Sequence, residues 1–223
     1  MIPISVLLIS LAGMGIQCGF MFADWRRKYQ WAALLKGLAS AAFTTVGLLG
    51  WLQDPEDQAA FQIFLGLACG LLGDVLLALR RVRPKAGTAF FCAGTLAFLV
   101  GHLLYFAALS RSLGSLWLPI GCGLAFAIVM LLFIGKRFGT KKILKYGSAV
   151  YVSVLAIMLS ASIWNMARNP GMKAVLFMVG AMLFAASDLM MLLKPKKHVL
   201  ATRVTHLVIY FIGQLLIAYS LFF

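Results

Sequence analysis

Eight apolar stretches of about twenty residues, separated by short polar connections, take up almost the whole chain. They run from Ile4 to Phe22, Trp31 to Leu52, Ala59 to Leu79, Ala86 to Leu109, Leu116 to Ile134, Ile143 to Met166, Met172 to Leu193 and Val199 to Phe222. A helix needs about 20 apolar residues to cross a hydrocarbon core roughly 30 Å thick. The pattern therefore predicts an all-α bundle of about eight transmembrane helices, with residues 1–223 forming one membrane domain and no room for a soluble one. Hydrophobic residues make up 63% of the chain and charged ones 12%, far from the roughly 45–50% and 25% of a soluble domain. The connections carry the expected helix breakers Pro55, Pro84, Gly114, Gly139, Pro170 and Pro195.

The net charge of +14 would suggest nucleic acid in a soluble protein. Here the basic residues fall in short clusters between apolar runs rather than on one face, so nucleic-acid binding is not expected. Arg26 to Lys28, Arg80 to Lys85, Lys136 to Lys145 and Lys194 to Arg203 hold 16 of the 20 Lys and Arg, all in alternate connections. The intervening connections hold Arg111, Arg168 and Lys173. This bias places the basic connections in the cytoplasm and both termini on the opposite side. Met1, Ile2 and Pro3 precede the first run without a basic residue, unlike a secretory leader, so that run is expected to be a span. The chain should be a multi-pass integral membrane protein, of the inner membrane if bacterial and of an endomembrane otherwise. Cys18, Cys69, Cys92 and Cys122 lie in apolar runs without paired spacing. They read as buried small hydrophobes, implying neither disulfide nor zinc.

Asp24 falls at the first basic connection, and Asp54, Glu56 and Asp57 fall in the second connection, which leaves Asp74 and Asp188 inside spans. A carboxylate at membrane depth costs at least a few kcal/mol, so each should face the bundle interior and is a functional candidate. Each lies six residues before a basic cluster, about 9 Å inside the cytoplasmic boundary at 1.5 Å per residue. The same ruler puts Lys36 about 12 Å and His206 about 14 Å deep, near the carboxylates, and His102 about 25 Å deep, towards the other face. Tyr105 follows His102 on nearly the same helical face, and Tyr210 and Gln214 form an i, i+4 pair.

A structural reading stands beside the functional one. Asp74 and Asp188 can lock helices together, with Lys36 neutralising one of them or snorkelling to the interface. His102, Tyr105, Tyr210 and Gln214 can serve as interhelical hydrogen-bonding groups. The third and seventh runs also echo each other: in both, a glycine precedes the aspartate by eight residues and a basic cluster begins six residues after it. A parallel duplication of four helices is one source of such an echo.

Four segments carry a resemblance: LLGDVLLAL around Asp74, AFLVGHLLYFAAL around His102 and Tyr105, LFAASDLMMLL around Ser187 and Asp188, and IYFIGQLLIAYS around Tyr210 and Gln214. Their order and content resemble the YhhN-type lysoplasmalogenases. The family usually has Lys-Pro in the second span, whereas Lys36 is followed here by Gly37, which keeps the charge without the kink. The resemblance implies hydrolysis of the vinyl ether bond of a lysoplasmalogen to a fatty aldehyde and a glycerophospho-base.

That chemistry needs a proton donor and a carboxylate that activates water, as at a glycosidic bond. The implied assignment makes Asp74 and Asp188 the acid/base pair. Lys36, His102, Tyr105, Tyr210 and Gln214 would line the pocket or bind the head group. Arg80, Arg81 and Lys194 at the rim would draw in the lipid phosphate or serve as topology charges. The expected partners are a lysophospholipid substrate and the bilayer, with no metal or other cofactor and the oligomeric state left open. Two other functions fit parts of the pattern. One is a small transporter using intramembrane Asp and Lys. The other is a metal-dependent lipid hydrolase, which the apparent 16 Å between His102 and the aspartates counts against.

Overall fold

The computed structural model describes residues 2–134, 142–192 and 200–223. Lys136, Arg137, Gly139, Lys141, Lys194, Pro195, Lys196 and Lys197 lie outside them, as do the side chains of Lys142 and Lys145. The described residues form eight α-helices and no strand: α1 (Ile4–Trp25), α2 (Tyr29–Trp51), α3 (Gln58–Val82), α4 (Gly87–Ser110), α5 (Trp117–Ile134), α6 (Lys142–Arg168), α7 (Met172–Leu192) and α8 (Leu200–Tyr219). Seven are long and apolar enough to cross a membrane. The shortest is α5, whose 18 residues reach about 27 Å. The chain is thus an integral, multi-pass membrane protein, as its run pattern predicts.

Helix ends follow local chemistry. Asp57 caps α3 by accepting hydrogen bonds from the backbone N–H groups of Ala59 and Ala60 at 2.8 and 3.1 Å. Its other oxygen meets Lys173 Nζ at 3.2 Å, which ties the start of α3 to the start of α7. Arg27, with φ of 58°, makes the tight turn between α1 and α2. The apolar run of α3 was expected to stop at Leu79, but the helix continues through Arg80 and Arg81. Backbone hydrogen bonding does not end at the hydrocarbon edge, and arginines in a last turn suit the helix dipole.

Helices adjacent in sequence pack antiparallel from α1 to α4 and from α5 to α8, and the bundle closes through α2 against α8 and α4 against α6. Adding four to each helix number maps this set of pairings onto itself. The crossings agree in register. Gly66 on α3 faces Gly101 on α4, and seven residues along each helix Gly73 faces Gly94. On α7 and α8, Gly180 faces Gly213, and seven residues along, the Ser187 hydroxyl donates to the His206 carbonyl at 2.8 Å. Small residues let the backbones approach, which is how helices gain contact in a solvent as apolar as their side chains. These main pairings and crossings match between the two halves, and the echo between the third and seventh spans falls within that match.

Two expectations need correction. Asp24 does not fall in the first connection: it sits in the last turn of α1, 5% exposed, between Arg81 of α3 and Arg203 of α8, both of which donate to its carboxylate. A charge at the helix end is carried inward by packing and is matched there by two cations. The cysteines are free, but Cys18, Cys92 and Cys122 are exposed on the outer surface and Cys69 is half-buried. In a membrane protein the outer surface is itself apolar, so a small hydrophobe has no reason to prefer the core.

Candidate active site

Asp74 faces the bundle interior from α3, 5% exposed. Lys36 and Ser40, four residues apart on α2, present one helical face to it. Lys36 Nζ lies 3.3 Å from Oδ1, and Ser40 Oγ donates to Oδ2. From α8, Tyr210 Oη also donates to Oδ2, at 2.7 Å. The ammonium lies over the Tyr210 ring, 4.4 Å from its centre, and 5.3 Å from that of Phe20. A buried ion pair is tolerable only when its remaining hydrogen-bonding positions are filled, and three helices combine to fill them here. Lys36 therefore does not snorkel to the interface.

Asp188, on α7, is 8% exposed and accepts a hydrogen bond from Tyr151 of α6. His102 Nε2 lies 3.2 Å from the same phenolic oxygen. With the Tyr151 hydrogen directed at Asp188, the consistent tautomer carries its proton on Nε2 and donates to Tyr151. Nδ1 is then a bare acceptor, and it is buried without a hydrogen-bond partner among the described residues. His102 is two hydrogen bonds from Asp188, so the expected separation of some 16 Å is wrong. A count of residues from a loop gives depth along one helix, whereas loops end at different heights, helices tilt, and a tyrosine side chain spans the remaining gap.

An aromatic partition joins the two carboxylates. Phe184 packs against His102 with ring centres 4.8 Å apart and against Tyr210 at 5.4 Å, and Phe98 packs on both Phe184 and Tyr210. One turn along α8 from Tyr210, Gln214 accepts a hydrogen bond from Tyr105 at 3.2 Å. This second polar pair sits beside Gly66 and Gly70 of α3, a turn or two from Asp74. Every expected site residue is buried inside the bundle: Lys36, Asp74, His102, Tyr105, Asp188, Tyr210 and Gln214. Lys36 and Tyr210 meet Asp74 directly, whereas Tyr105 and Gln214 pair with each other.

Sequence reading missed Ser40 and Tyr151. Ser40 was open to detection, since it lies one turn from Lys36. Tyr151 gave no such signal, because α6 holds no acidic residue and a tyrosine in an apolar run carries little cost to mark it. At the rim, Arg81 is committed to Asp24 and Arg80 lies over the Phe91 ring at 4.9 Å, while Lys194 lies outside the described residues. Among the described residues no three His, Cys, Asp or Glu side chains converge as a metal site would require.

No curated protein and no solved structure matches the chain. The sequence profile of the YhhN family does match, over residues 27–221. That span takes in α2 to α8 and with them Lys36, Asp74, His102, Tyr151, Asp188 and Tyr210, so the chain belongs to the YhhN family.

Proposed function

We propose that the protein is a hydrolase that cleaves the vinyl ether bond of a lysoplasmalogen within the bilayer, with Asp188 as proton donor and Asp74 as the carboxylate that activates water. The observation that carries this reading is the unequal setting of the two buried acids. Asp74 meets an ammonium and two hydroxyl donors, whereas Asp188 meets a phenol. A carboxyl group with an ammonium as counter-ion is suited to remain charged. One that faces a phenol and apolar walls is cheaper to keep neutral.

A vinyl ether opens when its β carbon takes a proton, because the ether oxygen shares the positive charge left on the adjacent carbon. Asp188 delivers that proton, and the C=C π electrons form the new C–H bond. Asp74 lies in electrostatic reach of the cation and takes a proton from the water that adds to it. The resulting hemiacetal collapses to aldehyde and alcohol, and one net proton transfer from Asp74 to Asp188 restores the site. Placing acid and base on separate elements divides the work as in glycoside hydrolysis. The chain of His102, Tyr151 and Asp188 offers a path for the returning proton.

The test is detergent-purified protein given lysoplasmalogen and scored for free aldehyde, beside Asp74→Asn and Asp188→Asn. Release by the unmodified protein and its loss in both variants is the expected result. Absence of release from the unmodified protein overturns the reading. In that case, uptake of a lysolipid into liposomes without a chemical product identifies a transporter instead.

A further inference from the structure

Among the described residues, grooves open on the outer surface of the bundle at two places that bear on the site. The wider, between α2 and α3, is shallow and passes Gly37 and Val75, but the neighbouring Lys36 and Asp74 side chains are not in its wall. The second lies between α5, α6 and α7, has a volume of about 180 Å³, and differs in one respect: Asp188 forms part of its lining. The rest of that lining is apolar, with Phe126 and Met130 from α5, Leu155 and Ala156 from α6, and Met182 and Ala186 from α7 among its residues.

We infer that this groove seats the single hydrocarbon chain of the substrate, which reaches Asp188 sideways from the lipid rather than through the aqueous end of the bundle. The inference rests on the proposed lipid hydrolase activity and adds the position of the chain. Three observations support it. Phe126, Met182 and Ala186 are exposed on the outer surface, so the mouth opens onto acyl tails. Leu155 and Ala156, farther in, are buried, so the groove leads inward and does not merely follow a helix joint. Its lining includes Asp188, the acid of the proposed site, so this almost wholly apolar groove borders that site.

The volume suits the reactive end of one chain, with the remainder lying among neighbouring lipids. Met130 and Met182 give the walls flexible thioether side chains, which accommodate chains of different shape. The carbon nearest the head group need not leave the membrane to meet the acid.

The experiment uses a saturated alkyl ether lysophospholipid with a diazirine in mid-chain, photolysed in the presence of the full-length protein, and the adducts are mapped by peptide mass spectrometry. This probe has no vinyl ether, so labelling does not depend on hydrolysis. Adducts are expected on the segments containing Phe126 to Met130, Val152 to Leu159 and Met182 to Leu189, with at least a tenfold loss in Ala186→Trp. Leu72→Trp, on the lipid-facing surface of α3, should label like the unmodified protein. Adducts confined to α1 through α4 would overturn the inference, as would labelling undiminished in a folded Ala186→Trp. Should Ala186→Trp fail to fold, the map from the unmodified protein decides alone. Groove labelling without aldehyde release from lysoplasmalogen leaves the groove and removes the proposed reaction, whereas aldehyde release with labelling elsewhere does the reverse.

Discussion

Asp74 and Asp188 occupy corresponding places in two four-helix halves, each eight residues after a glycine at a close helix crossing. The halves answer them differently: α2 brings Lys36 and Ser40 to Asp74, and α6, its counterpart, brings Tyr151 to Asp188. Each half supplies one acid to the bundle interior. Neighbours from α2 and α8 at Asp74, and from α6 at Asp188, give the two acids different protonation partners, which is what acid/base division of labour requires.

Tyr151→Phe removes the hydroxyl that connects His102 to Asp188 and leaves the ring packing in place. A hydrogen bond to a neutral carboxyl group is worth about 0.5 to 1.5 kcal/mol, so aldehyde release should fall roughly 2- to 10-fold in kcat. KM should change little, while the melting temperature should fall, because His102 and Asp188 each lose a buried partner. A loss confined to KM would mean that Tyr151 binds substrate instead of orienting the acid.

Lys36→Met leaves Asp74 buried beside two hydroxyls with no cation. Breaking one side of a buried pair costs about 3 to 5 kcal/mol, and thermal unfolding should show that loss. The double variant Lys36→Met/Asp74→Asn should recover most of the stability, since neither charge remains, yet stay inactive. Recovery of activity in the double variant would show that Asp74 serves the fold alone.

Gly180→Ala tests the crossing of the second half. The added methyl would lie 2.7 Å from the carbonyl oxygen of Gly213, and a backbone oxygen cannot step aside as a side chain does. Overpacking of this kind costs about 1 to 3 kcal/mol. Gly15→Ala, with nothing within 4 Å of the new methyl, should be neutral within about 0.5 kcal/mol. Comparison of the two melting curves separates the close approach from any general effect of alanine.

Asp57 carries the pH dependence that lies outside the membrane. Partial burial pushes its pKa up, but the Ala60 N–H, the Lys173 ammonium and the Ala59 N–H together hold the carboxyl below its ordinary value. A group depressed in the folded state stabilises above its unfolded pKa of about 3.9 and loses that contribution as pH falls through the folded value. Stability should therefore decline on acidification below about pH 4. Asp57→Ala should remove that part of the decline and cost about 1 kcal/mol at neutral pH through the lost cap. An unchanged acid limb in Asp57→Ala would assign the decline to other carboxylates.

The sequence by itself determined the solvent, the helical class and the two acids. Eight apolar runs can satisfy their backbone polar groups in lipid only as helices, and a carboxylate in such a run is costly enough to identify itself. Tertiary structure decided who meets those acids. Spacing along one helix fixes depth on its own axis but not the tilt or rotation of its neighbours, so His102 is far nearer to Asp188 than its position from Lys85 implied. The same ignorance hid Tyr151, whose hydroxyl matters only because α6 turns it towards α7, and Asp24, which packing draws between two arginines. The groove beside Asp188 is likewise a property of three helix faces together, since each of its apolar residues is unremarkable where it stands in the chain.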